Sequence, residues 1–187
     1  MNSDDVAERS RMNLSQASIS ELFALYGGIL RELRERRIVR TANAPTGDYA
    51  EYLVAAALGG ELVPNSEKGR DVLAQGRRIQ VKSRVIALPG NVGQRQLSSF
   101  RSFDFDDLVI VLFASDYSVW KAVLLPADVA RERSTYRANV NAHVLFATDL
   151  LLAGPSAEDV TKRLHAVTQA ERPILASPER VSPEKRS

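Results

Sequence analysis

The sequence predicts a single α/β domain, a mixed β-sheet of about four or five strands flanked by helices. Three observations carry that expectation. The spacing of apolar residues changes from a helical period of about 3.6 to a strand period of about 2 after Gly59-Gly60. Leu108 to Ala114 (LVIVLFA) is a continuous apolar run, as expected of a central strand covered on both faces. Gln75-Gly76 is a tight-turn pair between two strand-like segments.

Taken in order, residues 1–12 are polar, and two capping-box patterns follow, Asn13 with Gln16 and Ser18 with Glu21. Leu22, Tyr26, Ile29 and Leu33 recur at helical spacing and predict an N-terminal helix over about 14–38, interrupted by Gly27-Gly28. A loop at 41–46 leads to a second helix over about 47–58, with Ala50, Leu53, Val54 and Ala57 on one face and Gly59-Gly60 as its stop. Strands are expected at 61–63, 71–74, 77–85, 108–114 and 119–125, with a turn at Asp116-Tyr117. A glycine-containing loop at 89–93 precedes a short helix over 96–103. Pro126 opens a further helix, and Ser156 with Asp159 reads as the N-cap pair of a last one reaching about Gln169. Residues 1–170 form one domain with its core at 47–125, and the proline-bearing segment 171–187 reads as a disordered tail.

Composition narrows the chemistry. The chain has no cysteine and two histidines, which excludes disulfides, thiolate metal sites and a histidine-rich zinc site. A bound metal would be held by oxygen ligands, as Mg2+ or Mn2+ is. The N-terminus has no apolar signal region and no apolar run reaches the roughly 18–20 residues that span a bilayer. The expected partner is not a membrane, and the expected location is the cytoplasm. Net charge is +2, but residues 64–101 carry eight Lys/Arg against two acids, and residues 102–160 carry four against nine. A positive segment of that kind attracts polyanions.

Strand alternation puts Gln80, Lys82 and Arg84 on one face, with Ile79, Val81 and Val85 on the other. Pairing through the Gln75-Gly76 turn brings Asp71 to Gln80 and Lys82, and Glu51 can join from a helix over the sheet. Phosphodiester hydrolysis wants such a set: carboxylates to hold a hard cation, and an ammonium near the phosphate. Asp71 is the natural first metal ligand. Glu51 is a second ligand or a water-orienting base, and Gln80 offers a carbonyl oxygen or a hydrogen bond to the metal's water. Lys68, Arg70, Ser83, Arg84, Gln94, Arg95 and Arg101 are the candidate nucleic-acid contacts, with Asn65 and Ser66 in the approach to Asp71. His143 and His165 read as surface or packing residues, and Trp120 with the Tyr and Phe residues reads as core.

Asp71, the turn and Gln80-Val81-Lys82 resemble the PD-(D/E)xK (restriction-endonuclease-like) nuclease superfamily, in which an Asp precedes a strand bearing (D/E)-x-K. Gly47-Asp48-Tyr49-Ala50-Glu51 resembles its glutamate-bearing first helix. Ile79-Gln80-Val81-Lys82 is similar to the Q-x-K form of the Mrr-like branch. The likeness covers about 47–125 and departs from the common pattern at Gln80 and at Arg70, where proline is usual. It implies a restriction-endonuclease-like core and a Mg2+-dependent DNA endonuclease, related to restriction or defence. Glu51, Asp71, Gln80 and Lys82 would be catalytic, and a homodimer is expected because cutting a duplex takes two sites. Two other classes stay open: a DNA-binding module that keeps the fold without turnover, and a partner-binding protein that dimerises through the first helix.

Overall fold

A computed structural model of the chain describes Leu14 and residues 19–40, 45–64, 70–87 and 91–170, with residues 19–24 as backbone alone. The elements are α1 (Ile19–Glu35), α2 (Thr46–Leu58), β1 (Glu61–Leu62), β2 (Val72–Ala74), β3 (Arg77–Val85), β4 (Asp107–Phe113) and β5 (Val119–Pro126). They continue with α3 (Ala127–Arg133), β6 (Thr135–Arg137), β7 (Ala142–Val144), α4 (Asp149–Leu152), β8 (Glu158–Asp159) and α5 (Thr161–Ala170). The class is α/β, with a mixed six-stranded sheet in the order β1-β2-β3-β4-β5-β8. Only β3 and β4 run parallel; the other neighbours are antiparallel.

Every residue of β4 is buried, as its unbroken apolar run requires. Its odd-numbered residues Val109, Val111 and Phe113 join Ile79, Val81 and Val72 under α2 and α5. Its even-numbered residues Leu108, Ile110 and Leu112 join Phe100, Phe105, Ala130 and Leu151 on the opposite side, beneath α3 and α4. Period two therefore divides one strand between two cores.

Local chemistry sets the connections. Gly59 ends α2 in the left-handed region (φ 62°), its N–H returning to the last-turn carbonyls. A side chain on Gly60 would stand 2.7 Å from the Leu73 carbonyl oxygen, so glycine is what lets the α2–β1 corner close onto β2. Gln75 (φ 51°) and Gly76 (φ 76°) make the two-residue turn that sets Ala74 against Arg77, a conformation with positive φ at both central positions.

Several expectations change. The N-terminal stripe is partly exposed: Tyr26 and Ile29 are about half exposed and Leu30 is buried instead. An apolar groove of about 630 Å3, lined by Tyr26, Ile29, Leu33 and Tyr49 among others, lies beneath α1, and none of the four candidate catalytic side chains lines it. No helix forms over 96–103. A 3-10 turn (Val92–Arg95) gives way to extended chain, because the Leu97 and Phe100 N–H groups donate to the Leu145 and His143 carbonyls. Pro126 is the N-cap of α3, one residue before the helix. Ser156 does not begin the last helix: Glu158–Asp159 adds an edge strand to β5, and the Asp159 carboxylate accepts from Thr161 N at 2.9 Å to start α5. The ribbon β6–β7 was not foreseen. Trp120 is 37% exposed and not core, since its position on β5 turns outward and the Arg95 guanidinium covers its ring at 4.9 Å. Tyr26, Tyr117 and Tyr136 are exposed too, while Phe100, Phe105 and Phe113 are buried. The two early capping boxes, Asn65, Ser66, Lys68 and the tail from 171 lie outside the described residues. No helix among the described residues is long and apolar enough to cross a membrane.

Candidate active site

The β2–β3 turn does what its residues imply. Val72 lies opposite Ile79, so Asp71 falls opposite Gln80, one step before β2 begins. The backbone continues the ladder there: Asp71 N donates to the Ile79 carbonyl at 2.9 Å, and Val63 N donates to the Asp71 carbonyl at 2.9 Å. The Asp71 side chain is fixed from β3. Val81 N donates to its Oδ2 at 2.7 Å, and Gln80 Nε2 donates to the same oxygen. Among the described residues Oδ1 accepts no hydrogen bond, so one oxygen anchors the carboxylate and the other is presented. Gln80 thus uses its amide nitrogen to orient Asp71, leaving its carbonyl oxygen as the only acceptor it could offer a ligand.

Lys82 stands two residues along the same face as Gln80, with Nζ over the Phe100 ring at 5.1 Å from its centroid. Burial pushes its ammonium below the ordinary lysine value, while Asp71 and then Glu51 pull it partly back. Glu51 comes from α2. Burial first and then the neighbouring Asp71 charge raise its carboxyl to about 7, against the opposing Arg40 guanidinium. Asp71 is also raised, again mainly by burial, against the opposing Val81 N–H and the Lys82 charge. The four side chains expected to act together are brought together by α2, the start of β2 and β3. All three ionisable members are held away from their ordinary protonation behaviour.

No protein-family model and no curated protein matches this chain.

Arg40 was missed. It follows α1, and its guanidinium donates from Nη2 to Glu51 Oε2 and from Nη1 to the Val63 carbonyl at 2.8 Å. Its backbone N–H donates to Asp48 Oδ2 at 2.7 Å. The three bonds tie the chain before α2 to both α2 and the end of β1, beside the carboxylates. No motif marks it, because its partners lie 8 to 23 residues away and one is a backbone carbonyl.

The remaining candidates separate. Arg84, Gln94 and Arg101 are exposed, and Arg70 is half-buried beside Asp71. Ser83 points to the other side of β3, where its hydroxyl donates to the Thr46 carbonyl at 3.1 Å and anchors the start of α2. Arg95 is buried, with Nη1 donating to Asp149 Oδ1 at 2.5 Å and its plane on Trp120. That position holds the 3-10 turn against α4 rather than facing solvent. His143 and His165 pack as expected: His143 Nδ1 meets Ser134 Oγ at 3.0 Å, and His165 Nε2 lies 2.7 Å from the Val119 carbonyl.

Among the described residues no three acidic, His or Cys side chains gather into a metal-holding set. What gathers is two carboxylates and an amide carbonyl, all oxygen donors. That set suits a magnesium-like cation, which takes one or two protein carboxylates and completes its octahedron with water and phosphate oxygens. It does not suit zinc.

Proposed function

We propose that this chain is a Mg2+- or Mn2+-dependent DNA endonuclease with a restriction-endonuclease-like core. The observation that carries the reading is the meeting of Glu51 and Asp71, two carboxylates raised mainly by burial, Glu51 also by the Asp71 charge, with the depressed ammonium of Lys82 beside them and Asp71 held from β3 by Gln80 and the Val81 N–H. Buried like charges are costly to a fold, and a divalent cation relieves that cost. The Q-x-K pattern on β3 and the glutamate on α2 agree with the resemblance to the PD-(D/E)xK superfamily.

Asp71 and Glu51 would hold the cation, which when bound polarises a phosphoryl oxygen and acidifies a water. The protein's own groups do the rest. Gln80 and the Val81 N–H fix the Asp71 rotamer. Lys82 sets positive charge where negative charge grows on the phosphate, in a half-buried position where such charge acts strongly. Its lowered proton affinity also fits it to exchange a proton with the attacking water. The Phe100 ring lies beneath the Lys82 ammonium. Arg40 orients Glu51.

A second reading has one observation behind it. The Arg40 guanidinium already pairs with Glu51, and Gln80 supplies no charge, so the same fold would serve as a DNA-binding module without turnover. Supercoiled plasmid incubated with the protein in Mg2+, Mn2+ or EDTA separates the two, beside an Asp71→Ala/Lys82→Ala protein. Metal-dependent nicking that disappears in the double variant is the expected result. Nicking at the parental rate by the double variant, or none by the parent in either metal, overturns the nuclease reading.

A further inference from the structure

The ribbon β6–β7 and the 3-10 turn Ala138–Val140 at its tip have no part in the site just described. Every residue from Thr135 to Asn141 is exposed, with Tyr136 and Val140 each more than half so. The root is fixed. Ala142 and Val144 are buried, and His143 exchanges two 2.9 Å backbone hydrogen bonds with Phe100. The His143 ring meets Phe103 edge-on at 5.2 Å and Tyr136 at 5.5 Å. Phe100 is the ring beneath Lys82. One aromatic cluster therefore carries the catalytic lysine on one side and the prong on the other.

The prong gathers cations that no carboxylate claims, a property shared among the described residues with Arg31, Arg34, Arg37, Arg84, Arg131 and Lys162. Lys121, Arg77, Arg78 and Arg163 all sit on carboxylates. Arg101, Arg133 and Arg137 have no carboxylate partner among the described residues. No acidic residue occurs between Arg133 and Thr148. Arg101 also lines a polar cavity of about 370 Å3 with Tyr136, Val140, Asn141 and His143. The tip carries two amides, Asn139 and Asn141, the latter held by the Tyr136 hydroxyl donating to its Oδ1 at 2.8 Å.

We propose that β6–β7 is the element by which this protein grips duplex DNA, with Arg101, Arg133 and Arg137 on phosphates and the Asn139 tip in a groove. The inference rests on the nuclease reading for the class of substrate. The chemistry favours DNA over duplex RNA: the B-form major groove, about 12 Å wide, admits a two-stranded ribbon, whereas the A-form major groove is too narrow for side chains to read. Arginines without carboxylates bind phosphates at little cost in broken ion pairs, and an exposed asparagine amide matches an adenine edge.

The test is fluorescence anisotropy of a labelled DNA duplex with the full chain in EDTA, over a series of salt concentrations. Arg101→Gln/Arg137→Gln should weaken binding by about tenfold or more and flatten the salt dependence by close to two counterions. Arg163→Gln, far along the chain on α5, should match the parent, as should the thermal unfolding of both variants. Parental affinity and salt slope in the ribbon variant would overturn the proposal. So would equal affinity for duplex RNA, or no binding of duplex DNA by the parent. The assay contains no metal, so absent cleavage with ribbon-dependent binding would sink the nuclease reading alone.

Discussion

Two charge clusters share β3 and behave in opposite ways. At its start, Arg78 binds Asp106 through its backbone N–H at 2.8 Å and through its guanidinium, and reaches Asp104 at 2.5 Å. Arg77 forks onto Asp107. Hydrogen bonds from Arg78 hold the Asp106 carboxyl below its ordinary value. A few residues on, Asp71 and Glu51 are pushed up and Lys82 down, because burial outweighs what their partners return. Two arginines hydrogen-bonded directly to Asp104, Asp106 and Asp107 make a clamp that fastens the β3–β4 register. Two buried carboxylates sharing partial partners make the group proposed above to hold a cation.

The largest expected effect separates chemistry from structure. Lys82→Ala or Asp71→Ala should slow metal-dependent DNA cleavage by about 100-fold or more, the scale on which a transition-state charge partner acts. Arg78→Ala should leave the rate per folded molecule near parental. Plasmid nicking rates normalised to folded protein check both, and a slow Arg78→Ala would erase the distinction.

Next comes an asymmetry inside the clamp. Asp107 is buried while Arg77 is half exposed. Removing the arginine strands a buried carboxylate, whereas removing the charge of the carboxylate releases the arginine to water. Arg77→Ala should therefore lower the Tm more than Asp107→Asn does, as read by circular dichroism at neutral pH.

Glu51 makes a pH prediction of the opposite sign to Asp106. Its folded value, about 7, lies above the ordinary 4.5. The folded state binds more protons in that window, so Glu51 costs stability as pH rises from about 4.5 to 7. Glu51→Gln should be neutral near pH 4 and stabilising at pH 8. At 1.36 kcal/mol per unit the ceiling is about 3 kcal/mol, and partial exposure with the loss of the Arg40 pair reduces it to about 1 kcal/mol. Denaturant unfolding at the two pH values measures it. Asp106, with its value depressed, contributes stability above the ordinary carboxylate range and loses it as pH falls. Asp106→Asn should thus flatten the acid side of the stability profile, the smallest effect of the four.

How much of this the sequence could carry follows from the range of the interactions. The turn at Gln75-Gly76, the buried run of β4 and the shared face of Gln80 and Lys82 are set by neighbours and by period two, so residue patterns report them. Asp71 could be placed for the same reason, one turn away from its partner strand. Arg40 could not, since it acts through a backbone carbonyl and a helix residue set beside it only by the tertiary fold. Arg95 looked like a solvent-facing cation because burial against Trp120 and Asp149 depends on segments more than twenty residues distant. The ribbon was hidden by averaging: segment 102–160 is acidic as a whole, and the acids that make it so clamp Arg77 and Arg78 or lie outside 134–148.

The most direct test of the central claim is calorimetric titration of Mn2+ into the full chain, the Asp71→Asn protein and the Asp106→Asn protein. Saturable binding by the parent, retained by Asp106→Asn and weakened by about tenfold or more in Asp71→Asn, is the expected outcome. Equal binding by the parent and Asp71→Asn would contradict the account, because the cation would then be using carboxylates other than the perturbed pair.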